Sequence, residues 1–135
     1  MLGEMIGELH GEMTGQRVLS YDGPGPKVET SVKQSGKLLG MDVTDIVTYC
    51  SVMRAGGGLY GEANGVEMTR DGEALTYTAQ GVGKFTGRGS AVSFRGSLYF
   101  QTSSQKLARL ASVAVIFEYE MDENGKTHAK LWEWK

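Results

Sequence analysis

From Ala91 to Thr102 the chain alternates without a break between two kinds of position. Val92, Phe94, Gly96, Leu98 and Phe100 fall on one set; Ser93, Arg95, Ser97, Tyr99 and Gln101 fall on the other. A period of two places successive side chains on opposite faces of an extended strand. Segments of this kind recur along the whole chain, each ended by turn chemistry. That recurrence limits the fold more than any other feature.

The other segments follow in order. Met1 to Gln16 carries a four-residue repeat of Gly3-Glu4, Gly7-Glu8, Gly11-Glu12 and Gly15-Gln16. Four glycines in one helix would each cost about 1 kcal/mol relative to alanine, so a strand is the better reading. Its odd positions, including Met5, Leu9 and Met13, are apolar or empty, and its even positions are largely polar. Asp22 to Pro26 is a loop, and Lys27 to Gln34 alternates again. Ser35-Gly36-Lys37 reads as a turn, and Leu38 to Met53 as a long strand bulged near Gly40. Leu59 to Arg70 and Glu73 to Phe85 flank Asp71-Gly72, a strong hairpin signal. After the turn at Thr86 to Gly89 and the strand from Ala91, Ser103 to Ala111 breaks the pattern. There Ser103 or Ser104 can cap a short helical turn, with Leu107 and Leu110 on one face. Val113 to Met121 and Lys126 to Trp134 then form a final hairpin about Asp122 to Gly125.

About eight short-linked antiparallel strands can close on themselves and leave no edge, which favours an up-and-down, lipocalin-like β-barrel. A two-sheet sandwich is the rival arrangement. The 135 residues suit one domain spanning 1–135. Glycine, at 20 residues against 2 prolines, has no collagen period and marks bends, bulges and close backbone approach.

Fourteen basic and sixteen acidic residues are interspersed, so no basic face points to nucleic acid. The glutamates near the N-terminus do not suit a secretory leader, and the longest apolar run, Val113 to Phe117, is too short to span a bilayer. A single cysteine, Cys50, reads as a small core residue and requires no oxidising compartment. These features lead to the expectation of a cytoplasmic protein without membrane contact.

No standard catalytic motif is present. Gly81-x-Gly83 and Gly87-x-Gly89 do not lead from a strand into a helix, so they read as turn and bulge glycines. His10 and His128 are the two histidines; a zinc site built from two so distant in sequence is possible but has no motif to support it, and two are too few for a cupin-type metal enzyme. Neither metal nor cofactor is expected.

The strand Leu59 to Arg70 offers more. Tyr60, Glu62 and Asn64 share one face, and Gly61, Ala63 and Gly65 the other. If the polar face points inward, Glu62 is a candidate general acid or base whose pKa burial would raise. If the small residues line a crowded interior, Glu62 is merely solvated. Tyr77, Arg95 and Tyr99 share this ambiguity. Candidate ligand-binding residues are Tyr60, Asn64, Tyr77, Phe94, Phe100, Phe117 and Tyr119, with Met5 and Leu9 also lining a cavity. Trp132 and Trp134 share a face and suggest either a plug or a homo-oligomeric contact.

The run Gly81 to Gly89, Ser93 to Phe100 with Thr102, Leu107 to Leu110, Phe117 to Glu120 and Trp132 to Lys135 resembles small uncharacterised prokaryotic proteins. The resemblance covers most of the chain from about Met5. Those proteins are in turn similar, more distantly, to the allene oxide cyclase-like barrels. That likeness implies an eight-stranded, often oligomeric barrel holding a hydrophobic guest in an apolar cavity, with isomerase or cyclase chemistry among the outcomes. It carries no catalytic residue onto this chain. The alternative is a filled barrel without catalysis that serves assembly.

Overall fold

The computed structural model describes residues 1–21 and 23–135; of the expected loop at Asp22 to Pro26, Asp22 lies outside the described residues. Among the described residues there are eight strands: β1 (Leu2–Ser20), β2 (Lys27–Leu38), β3 (Met41–Met53), β4 (Leu59–Thr69), β5 (Ala74–Phe85), β6 (Val92–Gln101), β7 (Val115–Met121) and β8 (Lys126–Trp134). Each pairs antiparallel with its sequence neighbours, and β8 returns to β1, closing a barrel rather than a sandwich. Alternation decides what enters it. In β6, Val92, Phe94, Leu98 and Phe100 are buried, while Arg95, Tyr99 and Gln101 stay outside. Most of the buried apolar residues form one continuous cluster.

Three sequence expectations are corrected. The turn expected at Ser35-Gly36-Lys37 is strand; the chain reverses at Leu39-Gly40, both at positive φ (51° and 79°), as a two-residue hairpin of the primed type requires. Gly36 is needed for another reason, because a side chain there would run into the Glu8 carbonyl of β1. Met5 is half-exposed, since an irregularity in the β1–β8 register between Met5 and Gly7 inverts the faces and puts Ile6 inside. Cys50 lies half-buried on the outward phase of β3, between buried Tyr49 and half-buried Ser51.

The break after β6 is a 3₁₀ turn, Ala108–Ser112, that starts after Leu107 without a side-chain cap from either serine. Leu107 and Leu110 are fully buried in the core cluster and cover the barrel end where β6 leaves and β7 enters. No helix among the described residues is long and apolar enough to cross a membrane.

Candidate functional site

A row of polar residues crosses the barrel wall from the inside. Thr127 of β8 pairs with Gly11 of β1, Gly11 with Gln34 of β2, Gln34 with Asp45 of β3, and Asp45 with Glu67 of β4. All four side chains in this row point inward and are buried, Asp45 to 0% exposure and Glu67 to 1%. Because Gly11 has no side chain, Thr127 reaches past it and donates to Gln34 Oε1 at 2.9 Å. Gln34 Nε2 donates a hydrogen bond to Asp45 Oδ2 at 2.9 Å, and the Tyr77 hydroxyl donates one to Asp45 Oδ1 at 2.8 Å.

Glu67 stands apart within this row. Among the described residues its Oε1 is buried with no hydrogen-bond partner. Such an oxygen is costly to leave dry, so the site holds polar capacity that the fold itself does not use. Burial, and then the neighbouring Asp45, push the Glu67 carboxyl well above its usual range. Burial also raises Asp45, to about 6, although the Gln34 and Tyr77 bonds oppose this. Near neutral pH the pair therefore holds its charge on Asp45, which accepts two hydrogen bonds, and its proton on Glu67.

Next to Glu67 lies a cavity of about 80 Å³ lined mainly by apolar groups, among them Leu9, Val47, Ala79, Phe94 and Leu131. Its aromatic wall is preorganised. Tyr49 meets Phe94 and Tyr119 edge-on with ring centroids 5.8 and 5.5 Å apart, and Tyr119 donates to the Tyr49 hydroxyl at 3.3 Å. Burial raises the pKa of Tyr49, Tyr77 and Tyr119, so all three remain neutral donors.

The residues singled out from the sequence divide cleanly. Tyr77, Phe94, Phe117 and Tyr119 line the cavity, and Phe100 is buried edge-on to Tyr77 at 5.7 Å. Glu62 and Asn64 are exposed and Tyr60 is half-buried on the same outward phase of β4, so of the two orientations open from the sequence the one with the small residues inside holds, and these three side chains lie outside the barrel. Their inner counterparts are Gly61, Ala63 and Gly65, which leave room for aromatic rings from the adjoining strands β5 and β6: a side chain on Gly61 would meet Phe94 and one on Gly65 would meet Tyr77. Outside, Tyr60 donates to Glu62 at 2.9 Å and the Arg54 guanidinium stacks 4.2 Å from the Tyr60 ring. Arg95 is also outside, bound to Glu120 at 2.9 Å.

The sequence reading passed over Asp45, Glu67 and Gln34. A signal was present: Asp45 is in phase with Val43, Val47 and Tyr49, and Glu67 with Gly61, Ala63 and Gly65. A carboxylate on the apolar phase of a strand must either be buried or break the pattern.

The fold recurs in solved structures. A protein of unknown function from Clostridium acetobutylicum ATCC 824 superposes with a TM-score of 0.84 at 12% identity, over 98% of this chain and 99% of that one. A conserved protein of unknown function from Rhodopseudomonas palustris gives 0.82 at 13% identity, over 98% and 97%. A β-barrel-like protein from Acinetobacter baumannii AYE gives 0.83 at 12%, over 100% and 96%. At such identities the likeness is one of fold. No family model and no curated protein matches the chain.

Proposed function

We propose that the barrel binds a small, mainly apolar molecule carrying one hydrogen-bond acceptor, and that protonated Glu67 receives that acceptor. The observation that carries this reading is the buried, unpartnered Oε1 of Glu67 beside an apolar cavity. Pockets for drug-sized ligands occupy roughly 300–1,000 Å³, and an engineered cavity of roughly 150 Å³ admits benzene. A cavity of about 80 Å³ therefore suits a guest smaller than benzene, such as a short ketone, aldehyde or alcohol.

Glu67 lines the cavity and Asp45 does not, so Glu67 is the carboxyl that can touch a guest, while burial and the neighbouring Asp45, held by Tyr77, keep it protonated. An isomerase-like proton shift would place the Glu67 proton on the guest's oxygen and return a proton from the adjacent carbon to the carboxylate so formed, leaving Glu67 protonated again. Kinship with the allene oxide cyclase-like barrels fits this reading, since a closed barrel with an apolar cavity and few polar groups is the arrangement that family uses. A cytoplasmic setting is part of the same proposal, since a lone cysteine needs no oxidising compartment.

The test is a titration of short ketones, alcohols and alkanes of matched size, followed by NMR of the alanine and leucine methyl groups that line the cavity. Carbonyl compounds should shift Ala79 and Leu131, and Glu67→Met should weaken binding at least tenfold while Glu67→Gln, which keeps a donor, retains part of it. If alkanes bind as well as ketones, Glu67 is no anchor. If nothing binds, the barrel is not a receptor for small guests.

A second reading has its own observation. Trp132 pairs with Met5 on one side and Ile116 on the other, and Trp134 with Leu2, making an outward apolar strip in which Leu2, Met5 and Trp134 are 49%, 48% and 53% exposed. A strip of this kind suits a contact with a second copy of the chain. Light scattering of the wild type and of a Trp132→Ser/Trp134→Ser double variant tests it: a dimer or larger assembly that falls to monomer supports the contact, and an unchanged mass removes it.

A further inference from the structure

We propose that Glu8, His10 and His128 form a surface site for a divalent transition-metal ion, zinc foremost, which ties the first strand of the barrel to the last. His10 of β1 and His128 of β8 are direct cross-strand partners, their rings stacked with centroids 4.0 Å apart and planes 16° from parallel. Both turn Nε2 toward the same carboxylate oxygen, Glu8 Oε2, at 2.6 Å from His128 and 3.9 Å from His10. One donor atom from each of the three residues lies within 4.8 Å of the others.

Zinc bonds to imidazole nitrogen and carboxylate oxygen at about 2.0–2.2 Å. Donor atoms around one tetrahedral ion then lie about 3.3–3.5 Å apart, so the triad must close slightly and the His128–Glu8 hydrogen bond must open. Rotation of the side chains supplies that movement, because His10, Glu8 and His128 are 66%, 39% and 35% exposed. Two imidazoles and a carboxylate form a borderline donor set that suits zinc, copper or nickel and disfavours magnesium and calcium, which take oxygen ligands.

The surrounding ladder makes the histidine row distinctive. On the same outward face, Glu8 lies opposite Lys130 and Glu12 opposite Lys126, the latter pair closed at 2.9 Å. Between these two rows of opposite charge, the His10–His128 row sets two identical metal-binding groups face to face. Glu120, which flanks His128 on β7, is held by Arg95, and Ser35 flanks His10 on β2, so the fourth coordination position is left to water. The ion would join β1 to β8 at the seam where a barrel of sequential strands closes, and binding only the closed form must stabilise it.

The experiment uses protein without a polyhistidine tag, stripped with chelator, titrated with zinc against a chromophoric competitor and monitored by the imidazole ¹H–¹⁵N signals. The expected result is one zinc per chain, shifts in the Nε2 signals of both histidines, and a raised melting temperature that chelator reverses. His10→Asn and His128→Asn should each weaken binding at least tenfold, with the apo fold unchanged by circular dichroism because the positions face outward. Glu8→Gln should weaken it less, and magnesium should give no signal. No binding at millimolar zinc, or binding unaltered in both histidine variants, overturns the proposal, as does one zinc per two chains.

Discussion

The Tyr77 ring fills the space that a side chain on its cross-strand partner Gly65 would occupy. By crossing β4 there, Tyr77 reaches from β5 to Asp45 on β3, two strands away. The glycine is thus what allows one hydroxyl to serve a carboxylate it does not neighbour. Gly65→Ala would drive a methyl group into the ring, a steric conflict of the kind that costs about 1–3 kcal/mol. Tyr77→Phe, which keeps the packing but leaves Asp45 one donor short, should cost a similar amount. Urea denaturation measures both, and a Tyr77 hydroxyl proton that is protected from exchange in the wild type but lost in Gly65→Ala would show that the ring has moved.

Stability should fall as pH rises from mildly acidic to alkaline. The Asp45 carboxyl goes from 3.8 in its ordinary state to about 6 in the fold, chiefly through burial. Between those values the folded chain holds a proton that the unfolded chain has released, so the contribution is complete below about pH 4 and lost as pH passes 6. A shift of this size corresponds to at most about 3 kcal/mol. Glu67, raised in the same direction, extends the decline to higher pH. Asp71 acts in reverse: Lys106 and Thr69 lower it to about 2, so its contribution is present above about pH 4 and lost as pH falls through 2. The urea midpoint should therefore peak near pH 4–5 and decline toward pH 8, with a shallower slope in Glu67→Gln. A midpoint that rises from pH 5 to 8 would contradict the burial of this pair.

Phe117 controls the volume of the cavity. It is half-buried, lines the space and lies over Gly81, where an added Cβ would meet its ring tip at 3.0 Å. Phe117→Ala should cost about 3 kcal/mol, the low end of the range for removing a core phenylalanine side chain, because the ring is only half-buried. The enlarged cavity should then accept benzene, which the wild type should exclude. A thermal-shift comparison with and without benzene reads both effects.

The strands and most of the turns are legible in the sequence because alternation and turn chemistry are local. The β6 face and the Asp71-Gly72 hairpin follow directly from residue order. The site is less legible because its logic crosses strands. Period two groups Gly61, Ala63 and Gly65 on one face of β4 but leaves open whether that face is empty or filled. The answer comes from Phe94 on β6 and Tyr77 on β5, whose rings occupy it. Once they do, Glu67 is inside by the same phase and Glu62 is outside. Leu39 was harder still, since leucine at positive φ is disfavoured and only the hairpin geometry holds it there.

Glu62→Gln is the matching control for the phase of β4. The carboxylate accepts a hydrogen bond from the Tyr60 hydroxyl on the outer surface. Exposed polar contacts of this type contribute little, so the change should alter stability by less than about 0.5 kcal/mol and leave guest binding untouched. An effect as large as that of Glu67→Met would mean that the outer face takes part in the site.

Thr127 and Tyr77 approach Asp45 from opposite sides of the barrel, Thr127 through Gln34 and Tyr77 directly. Thr127→Val keeps the shape of the side chain but leaves Gln34 Oε1 without its donor, which should cost about 1–3 kcal/mol. With its carbonyl freed, the Gln34 amide is no longer held with Nε2 toward Asp45, so the carboxylate loses part of that bond as well. Tyr77→Phe then removes its remaining donor. The two changes should not add: a double-mutant cycle should give a coupling of about 0.5–3 kcal/mol, whereas residues more than 7–10 Å apart without shared partners add within about 0.5 kcal/mol. Additivity would show that Gln34 holds its orientation without Thr127, and that the polar row is a set of separate bonds rather than a connected network.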